Sequence, residues 1–298
     1  MKVPFTGCAT AIVTPMRDGG VDFDALARLI EYQIDNGVSA IVPCGTTGEA
    51  PTLGGEEKKR VIAFTIRRTD GRIPVIAGCG SPSTEYAAKY AADAEKEGAD
   101  GILVVTPYYN KATQKGLIAH YTAIANAVPE TPLIMYNVPS RTGCNIQPAT
   151  AAYLAKNVKN IVGIKEATGD LSQIAKMMSL ADGQLELYSG NDDQVLPILS
   201  LGGLGVISVL SNVAPKFTHD MVMKYFDGDT KGATEDQLKA LPLINALFSE
   251  VNPIPVKTAM NLMGMNVGPL RMPLCEMEED TKAALAKEIE KFGLKLAK

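Results

Sequence analysis

A chain of 298 residues with 46% hydrophobic and 21% charged residues is long enough for one large α/β barrel or two smaller domains. Its formal net charge of −4 argues against a protein that binds nucleic acid or an anionic membrane, since no basic cluster offsets it. The N-terminal residues lack the apolar core of a signal peptide, and no apolar stretch reaches about 18 residues. We therefore expect a soluble protein of the cytoplasm.

The chain contains cysteines at wide and irregular spacing, and no two of them form a Cys-x-x-Cys pair. They are Cys8, Cys44, Cys79, Cys144 and Cys275. An odd number of scattered thiols is typical of a reducing compartment, and not of a disulfide framework or a zinc site. With only His120 and His219 in the chain, a histidine-based metal site or a Cys–His catalytic pair has few candidates. Cys44 and Cys79 fall at predicted strand ends, where a catalytic thiol could lie, but we expect them to be small buried residues, and we expect no bound metal.

Short apolar runs alternate with helical patterns along most of the chain. Eight runs predict strands, at Cys8–Val13, Ala40–Pro43, Pro74–Ala77, Gly101–Val105, Pro132–Tyr136, Ile161–Lys165, Leu185–Tyr188 and Gly205–Val209. Apolar residues at three- and four-residue spacing predict helices between them, at Asp24–Asn36, Gly55–Thr69, Thr84–Glu97, Gln114–Ala127, Pro148–Asn157 and Asp170–Leu180. Eight alternating βα units imply an α/β fold whose parallel sheet closes into a (β/α)8 TIM barrel.

The C-terminal part of the chain exceeds what eight βα units need. Further helical patterns occur at Glu235–Glu250, Val256–Met263 and Glu278–Leu296. Proline-rich breaks at residues 252–255 and 268–273 predict rigid connections between them. The sequence thus predicts a catalytic barrel over residues 1–232 and a helical extension over residues 233–298.

The sixth predicted strand, Ile161–Lys165, ends in a lysine. Because this short run predicts a strand buried on both faces, we expect its lysine to point into a poorly solvated place. Desolvation disfavours the ammonium form, and a neutral amine is a nucleophile that forms a Schiff base with a carbonyl compound. Alternation along the strand predicts that Lys165 and Gly163 face the barrel interior and that Val162 and Ile164 face the helices. For this residue alone, a strand-end lysine that reaches water is the alternative.

Other reactive or ligand-binding side chains occur where predicted strands end, which is where a (β/α)8 barrel builds its active site. Tyr136 ends the fifth strand on the inward face next to Lys165, where a hydroxyl can move protons, or where it lines the barrel. The turn Gly45–Gly48 offers backbone N–H groups and hydroxyls that can hold a carboxylate, although such turns are common. Arg141 follows a proline and can bind a second carboxylate with two hydrogen bonds, or it is a solvated arginine.

A glycine-rich segment, Gly202–Gly205, precedes the eighth predicted strand. It is similar to the phosphate-binding loop that many barrels carry near strands seven and eight. It is equally consistent with tight backbone packing. We favour packing, because a site that already has carboxylate-binding groups needs no phosphate.

Three motifs carry a resemblance to a known family. They are GTTGE at Gly45–Glu49, YNVPSRTG at Tyr136–Gly143 and GIKEATGD at Gly163–Asp170, at the ends of the second, fifth and sixth strands. Together they resemble the dihydrodipicolinate synthases, which belong to the pyruvate-dependent class I aldolase superfamily. The resemblance extends from about Phe5 to the C-terminal helices.

The resemblance implies a condensation of pyruvate with L-aspartate 4-semialdehyde, the committed step toward diaminopimelate and lysine. Lys165 matches the residue that forms an imine with pyruvate. Tyr136, Thr46 and Tyr109 match the family's proton relay, and Tyr109 is expected to reach in from a neighbouring subunit.

The resemblance also assigns residues that bind the substrates. Thr46 and Thr47 match the cradle of the pyruvate carboxylate, and Arg141 matches the residue that grips the semialdehyde carboxylate. Gly190 and Ile207 match further positions of the pocket. No metal or organic cofactor is implied, and the usual assembly of the family is a homotetramer built from two tight dimers.

A departure from the family concerns feedback inhibition. Many members bind lysine at a subunit interface through polar residues, and this chain keeps Tyr108 of that set. The other matching positions carry Ala50, Pro51, Gly55, Lys58, Pro82 and Tyr86. Acceptors for the amines of the inhibitor are therefore lost and Lys58 adds a like charge, so we expect weak or absent inhibition by lysine.

Two alternatives remain beside the synthase. An aldolase for 2-keto-3-deoxy sugar acids or N-acetylneuraminate would share Lys165 and Tyr136 but would need a pocket for a polyol, and Arg141 within its motif favours the synthase. A catalytically silent barrel that only binds a keto acid is disfavoured by the intact set of Lys165, Tyr136 and Thr46.

Overall fold

A single sheet of eight parallel strands forms the centre of the computed structural model, which describes residue 1 and residues 3–297. The strands are Gly7–Ala11 (β1), Ala40–Val42 (β2), Ile76–Gly78 (β3), Gly101–Val105 (β4), Leu133–Asn137 (β5), Ile161–Glu166 (β6), Glu186–Ser189 (β7) and Gly205–Ser208 (β8). A hairpin of two-residue strands, Met16–Arg17 and Gly20–Val21, lies after β1. The eight strands correspond to the eight predicted runs.

The sheet closes on itself. Its strands are ordered β2-β1-β8-β7-β6-β5-β4-β3, and a parallel bridge between Ile41 and Val75 joins the two outer strands. At this seam the Ile41 N–H donates to the Pro74 carbonyl at 3.0 Å, and the Gly78 N–H donates to the Pro43 carbonyl at 3.0 Å. The predicted (β/α)8 TIM barrel is thereby confirmed.

Helices surround the barrel and continue into the extension. They are Phe23–Asp35 (α1), Gly55–Thr69 (α2), Thr84–Glu97 (α3), Gln114–Ala127 (α4), Pro139–Thr142 (α5), Pro148–Asn157 (α6), Leu171–Ala181 (α7), Val195–Ser200 (α8), Pro215–Phe226 (α9), Thr230–Leu247 (α10), Ile254–Leu262 (α11) and Glu279–Phe292 (α12). Side chains of Asp22, Ser83, Thr113 and Asp170 accept from free N–H groups in the first turns of α1, α3, α4 and α7. These caps explain why the helices begin where they do.

Helix α10, the first helix of the extension, begins at Thr230, three residues before the predicted boundary at residue 233. Helix α10 packs against α9 of the barrel and against α12, so the extension is joined directly to the last βα unit. Among the residues described, no helix combines the length and the apolarity needed to cross a membrane.

Apolar side chains fill two regions on either side of the sheet. Inward-facing residues such as Ala9, Leu103 and Ile134 pack inside the barrel, whereas Leu133 and Met135 pack against the helices. The alternation predicted for β5 is therefore confirmed.

The alternation predicted for β6 is wrong at one residue. Ile164 packs on the helix side as expected, but Val162 packs inside the barrel. The cause is a shift of register, since Leu133 pairs with Ile161 while the next residue, Ile134, pairs with Gly163. Val162 is the extra residue of a β-bulge, which resets the alternation before Lys165.

The glycine-rich segment before β8 packs closely against its surroundings. A Cβ atom on Gly205 would lie 1.8 Å from the Gly7 carbonyl oxygen, and one on Gly203 would lie 2.7 Å from the Ile198 carbonyl oxygen. Because only glycine lets these backbones approach, the segment serves the packing that we favoured.

Candidate active site

Lys165 lies inside the mouth of the barrel at the end of β6. In the sheet it is paired with Tyr136 of β5 on one side and with Tyr188 of β7 on the other. Only 5% of its surface is exposed, and its Nζ lies 4.4 Å from the centroid of the Tyr136 ring. The lysine therefore does not extend to water along the surface.

The environment of Lys165 favours the neutral amine. Burial lowers the pKa of Lys165 to about 8, the Asp192 carboxylate opposes this shift, and the Arg141 guanidinium adds to it. Desolvation dominates, because an ammonium loses more solvation energy than an amine when water is removed. A nucleophilic fraction is thus present near neutral pH.

Gly190, which follows β7, makes room for the lysine side chain. A Cβ atom at this position would lie 3.1 Å from Cε of Lys165 and 2.8 Å from Cβ of Ala167. The Gly190 N–H donates to the Glu166 carbonyl at 2.7 Å, which holds the backbone in this place. A side chain at this position would therefore force a shift of Ala167 and would crowd the Glu166 carbonyl and Cε of Lys165.

The turn after β2 brings hydroxyl groups to the same mouth. The Gly48 N–H donates to the Gly45 carbonyl and the Glu49 N–H donates to the Thr46 carbonyl, both at 3.1 Å. Glu49 adopts the left-handed conformation with φ of 56°, which costs on the order of 1 kcal/mol for a residue other than glycine. The tight turn leaves Thr46 half-buried and buries Thr47.

Tyr136 connects this turn to Lys165. Burial raises the pKa of the Tyr136 hydroxyl, whereas the Arg141 guanidinium and a hydrogen bond with the Thr46 side chain lower it. The phenol is therefore protonated at neutral pH and has a hydroxyl neighbour with which it can exchange a proton.

Arg141 lies on the short helix α5, which begins at Pro139. One of its guanidinium nitrogens donates to the Asn252 carbonyl at 3.2 Å, and its side chain is exposed at the rim of the site. The guanidinium thus retains donors for an acidic group of a ligand.

These side chains line one cavity of about 210 Å³. Its wall includes Thr46, Thr47, Tyr136, Arg141, Lys165 and Gly190. A neighbouring cavity of about 220 Å³ shares Thr46, Tyr136 and Arg141 with it and extends to Lys58 and Tyr108. The structure therefore brings together six of the eight site residues predicted from the sequence.

The two remaining predicted residues lie elsewhere. Tyr109 is 95% exposed, has a φ of 69° and lines neither of the two cavities. Ile207 is fully buried inside the barrel, where it packs with residues such as Tyr136 and Tyr188.

Two residues of the site were not predicted from the sequence. The Asn252 side-chain amide donates to the Thr47 hydroxyl at 3.1 Å, although its segment was interpreted only as a rigid connection. Asp192 is buried near Lys165, and one of its oxygens accepts from the N–H groups of Val209 and Leu210, both at 2.9 Å. The sequence signal that could have identified Asp192 was its position two residues after Gly190.

The arrangement is suited to carbonyl chemistry through an imine. A largely desolvated amine lies beside a protonated phenol, and hydroxyl groups and a guanidinium line the same cavity. Imine formation needs a neutral amine and a group that transfers protons to and from the departing oxygen. Within the described part of the chain, no cluster of three or more acidic, histidine or cysteine side chains could hold a metal ion.

Comparison with known proteins shows the family to which the chain belongs. The chain matches the Dihydrodipicolinate synthetase family over residues 4–292. It is 56% identical over 291 residues to the 4-hydroxy-tetrahydrodipicolinate synthase of Lachnoclostridium phytofermentans, covering 97% of this chain and 99% of that protein. Among solved structures, it is similar to the dihydrodipicolinate synthase of Thermotoga maritima, with a TM-score of 0.95, 46% identity and coverage of 98% and 100%. The DHDPS of Cyanidioschyzon merolae with lysine bound has a TM-score of 0.95, 39% identity and coverage of 99% and 100%.

The lowered pKa of Lys165 predicts how its reactivity depends on pH. Trace acetylation with acetic anhydride should modify Lys165 half-maximally near pH 8, whereas ordinary exposed lysines reach this point only above about pH 10. Peptide mapping by mass spectrometry across pH measures both in one digest.

Asp192→Asn is the matched control for this profile. Because the Asp192 carboxylate raises the pKa of Lys165, its neutralisation should move the Lys165 midpoint to lower pH. A wild-type midpoint in the range of exposed lysines would contradict the assignment.

Proposed function

The chain belongs to the dihydrodipicolinate synthetase family, and on this basis we propose that it condenses pyruvate with L-aspartate 4-semialdehyde to give 4-hydroxy-tetrahydrodipicolinate. This reaction is the committed step toward diaminopimelate and lysine, and the protein is a lyase of the class I aldolase type. The observation that carries the proposal is the buried amine of Lys165, with its lowered pKa, beside the Tyr136 ring.

Lys165 begins the reaction as a nucleophile. Its neutral amine attacks the keto carbon of pyruvate, and loss of one water gives a protonated imine. Loss of a proton from the methyl carbon turns the imine into an enamine, whose carbon attacks the aldehyde carbon of the semialdehyde. The amino group of the semialdehyde unit then attacks the imine carbon, which closes the ring and releases Lys165. One water is lost overall, and no oxidant or reductant is needed.

Tyr136, Thr46 and Tyr109 carry the protons of these steps. The Thr46 side chain lowers the pKa of the Tyr136 hydroxyl and lines the same cavity, which supports the first two members of this relay. Tyr109 acts in the site of a second copy of the chain, which is consistent with a ring that is 95% exposed in the single chain. The proposed assembly is a homotetramer of two tight dimers in the cytoplasm, without a cofactor.

The two carboxylates of the substrates bind at opposite sides of Lys165. Thr46 and Thr47 hold the pyruvate carboxylate, because the turn presents hydroxyl groups at the mouth of the barrel. Arg141 holds the semialdehyde carboxylate from the rim. Gly190 leaves room for the imine, and Ile207 contributes to the floor of the pocket.

The Schiff base predicts a covalent adduct. Incubation with pyruvate and borohydride should add one reduced pyruvate unit to Lys165, which intact mass and peptide mapping detect. Lys165→Arg should give no adduct and lose turnover, since its guanidinium stays protonated and is not a nucleophile. A folded wild-type protein without the adduct would exclude the proposed mechanism.

The proposed role of Arg141 predicts a selective loss. Arg141→Ala should lower kcat/KM for the semialdehyde about 100-fold, the effect of losing hydrogen bonds to a charged group, and should alter pyruvate labelling much less. Arg141→Lys keeps the positive charge that lowers the pKa of Lys165 and is the control. Equal effects on both substrates would indicate a structural arginine, and turnover of a 2-keto-3-deoxy sugar acid in place of the semialdehyde would favour the aldolase alternative.

Regulation gives a further test. The Lys58 ammonium lies 4.9 Å from the Tyr90 ring centroid and lines the cavity that extends to Tyr108, so a second ammonium there would meet a like charge. We expect millimolar L-lysine to leave the initial rate essentially unchanged in a steady-state assay. The Cyanidioschyzon merolae protein, whose structure contains lysine, is the comparison. Strong inhibition of this chain would contradict the expectation.

A further inference from the structure

A second buried lysine, Lys257, lies outside the residues assigned to the reaction. It belongs to α11 of the extension, and 1% of its side chain is exposed. Its Nζ donates to Oε1 of Glu49 at 2.7 Å, to the Thr14 carbonyl at 3.2 Å and to the Pro269 carbonyl at 2.6 Å. An ammonium has three hydrogens, and each one here has an acceptor.

Glu49 ends the GTTGE turn that presents Thr46 and Thr47. Its side chain is completely buried, and both carboxylate oxygens are bound by the extension. Lys257 binds Oε1, and the backbone N–H of Arg271 donates to Oε2 at 2.9 Å. The last residue of the turn is thus held in its left-handed conformation by groups more than 200 positions along the chain.

The same ammonium also supports the turn from its other side. The carbonyl of Thr14 accepts from Lys257, and the hydroxyl of Thr14 donates to the Gly48 carbonyl at 2.7 Å. The N–H of Glu49 in turn donates to the Thr46 carbonyl. The Glu49–Lys257 pair is therefore linked to the backbone that carries the two threonines both through Glu49 itself and through Thr14, while its contacts with Pro269 and Arg271 tie it to the extension.

The stability of the fold does not by itself account for the buried Glu49–Lys257 pair. Buried ion pairs stabilise a fold little more than well-packed apolar residues of similar volume, because desolvation offsets most of the attraction. A buried ion pair instead constrains the local geometry, since only one arrangement satisfies both charged groups.

We propose that Glu49 and Lys257 are positioning residues that fix the Thr46–Thr47 turn, so that the C-terminal extension sets the affinity of the barrel for the carboxylate of its keto-acid substrate. The identity of the ligand rests on the proposed function. The positioning of the turn by Glu49 and Lys257 does not.

Two variants with two measurements test the proposal on the full chain. Glu49→Gln keeps the volume and removes the charge, and Lys257→Met keeps the apolar stem. We expect amide hydrogen exchange in residues 44–53 to become about tenfold faster or more, with exchange in β5 and β6 unchanged. The pyruvate concentration that gives half-maximal borohydride labelling of Lys165 should rise about tenfold, more than kcat falls. A folded variant with wild-type values in both measurements would overturn the proposal.

Lys224→Met is the matched control. It makes the same substitution at a lysine that pairs with Asp236 at 2.6 Å, where α9 meets α10, remote from the turn. Exchange in residues 44–53 and pyruvate labelling should remain at wild-type values. Equal changes in this variant would mean that any lost ion pair loosens the turn, and the proposal would fail.

A double variant covers the case in which a single charge left buried prevents folding. Glu49→Leu with Lys257→Met removes both charges and keeps an apolar contact, which proteins usually tolerate. We expect a folded protein that still shows fast exchange in residues 44–53 and weak pyruvate labelling. Wild-type values in the double variant would show that packing alone fixes the turn.

The two measurements separate this proposal from the proposed function. If wild-type protein fails to label with pyruvate, the function is wrong, and hydrogen exchange alone decides whether the pair fixes the turn. If wild type labels and the variants behave like it, the function stands and the positioning role is excluded.

Discussion

Lys165 is a nucleophile only as a neutral amine, and removal of water from its ammonium group favours that form. This requirement constrains the residues around it. The barrel meets the requirement by ending β6 between Tyr136 and Tyr188, with the Tyr136 ring beneath the Nζ atom. A Cβ atom at Gly190 would lie 2.8 Å from Cβ of Ala167 and 3.1 Å from Cε of Lys165, so a glycine here avoids crowding of the lysine and its neighbours. The Arg141 guanidinium favours the neutral amine while Asp192 limits the shift, so the pKa of about 8 is a balance of burial and two charges.

The two buried lysines show how partners decide the role of the same side chain. Burial lowers the pKa of both, but the Glu49 carboxylate opposes the shift at Lys257. Lys257 donates to three oxygens and is thereby fixed as an ammonium with a structural geometry. Lys165 lies against an aromatic ring in an open cavity, where a carbonyl compound can reach it. The exposed fraction does not distinguish Lys165 from Lys257, whereas the hydrogen-bond acceptors around each Nζ do.

Local patterns in the sequence were sufficient for the barrel, because apolar periodicity and strand ends depend on neighbouring residues. They placed Lys165 at the end of a buried strand but left open a lysine that reaches water, which its 5% exposure excludes. Val162 was assigned to the wrong face, since a bulge depends on how β5 and β6 pair and not on either strand alone. Asn252 and Lys257 were missed for a related reason. Their partners Thr47 and Glu49 lie more than 200 residues away, and no periodicity links such positions. The roles of Tyr109, Gly190 and Ile207 came only from family resemblance, and the roles of all the predicted site residues remain predictions.

The position of the seam in the barrel supports the positioning role proposed for the extension. Strands β2 and β3 have three residues each, and the single Ile41–Val75 bridge joins them, whereas β5 and β6 pair through five positions. The turn with Thr46 and Thr47 leaves the barrel at this weakly paired seam, so its own strand provides few hydrogen bonds to hold it. Contacts from Asn252, Lys257 and the backbone of Arg271 supply what the sheet lacks there. In the proposed role the helices beyond the eighth unit act as part of the binding site, because they add to the turn the hydrogen bonds that the short strands of the seam do not provide.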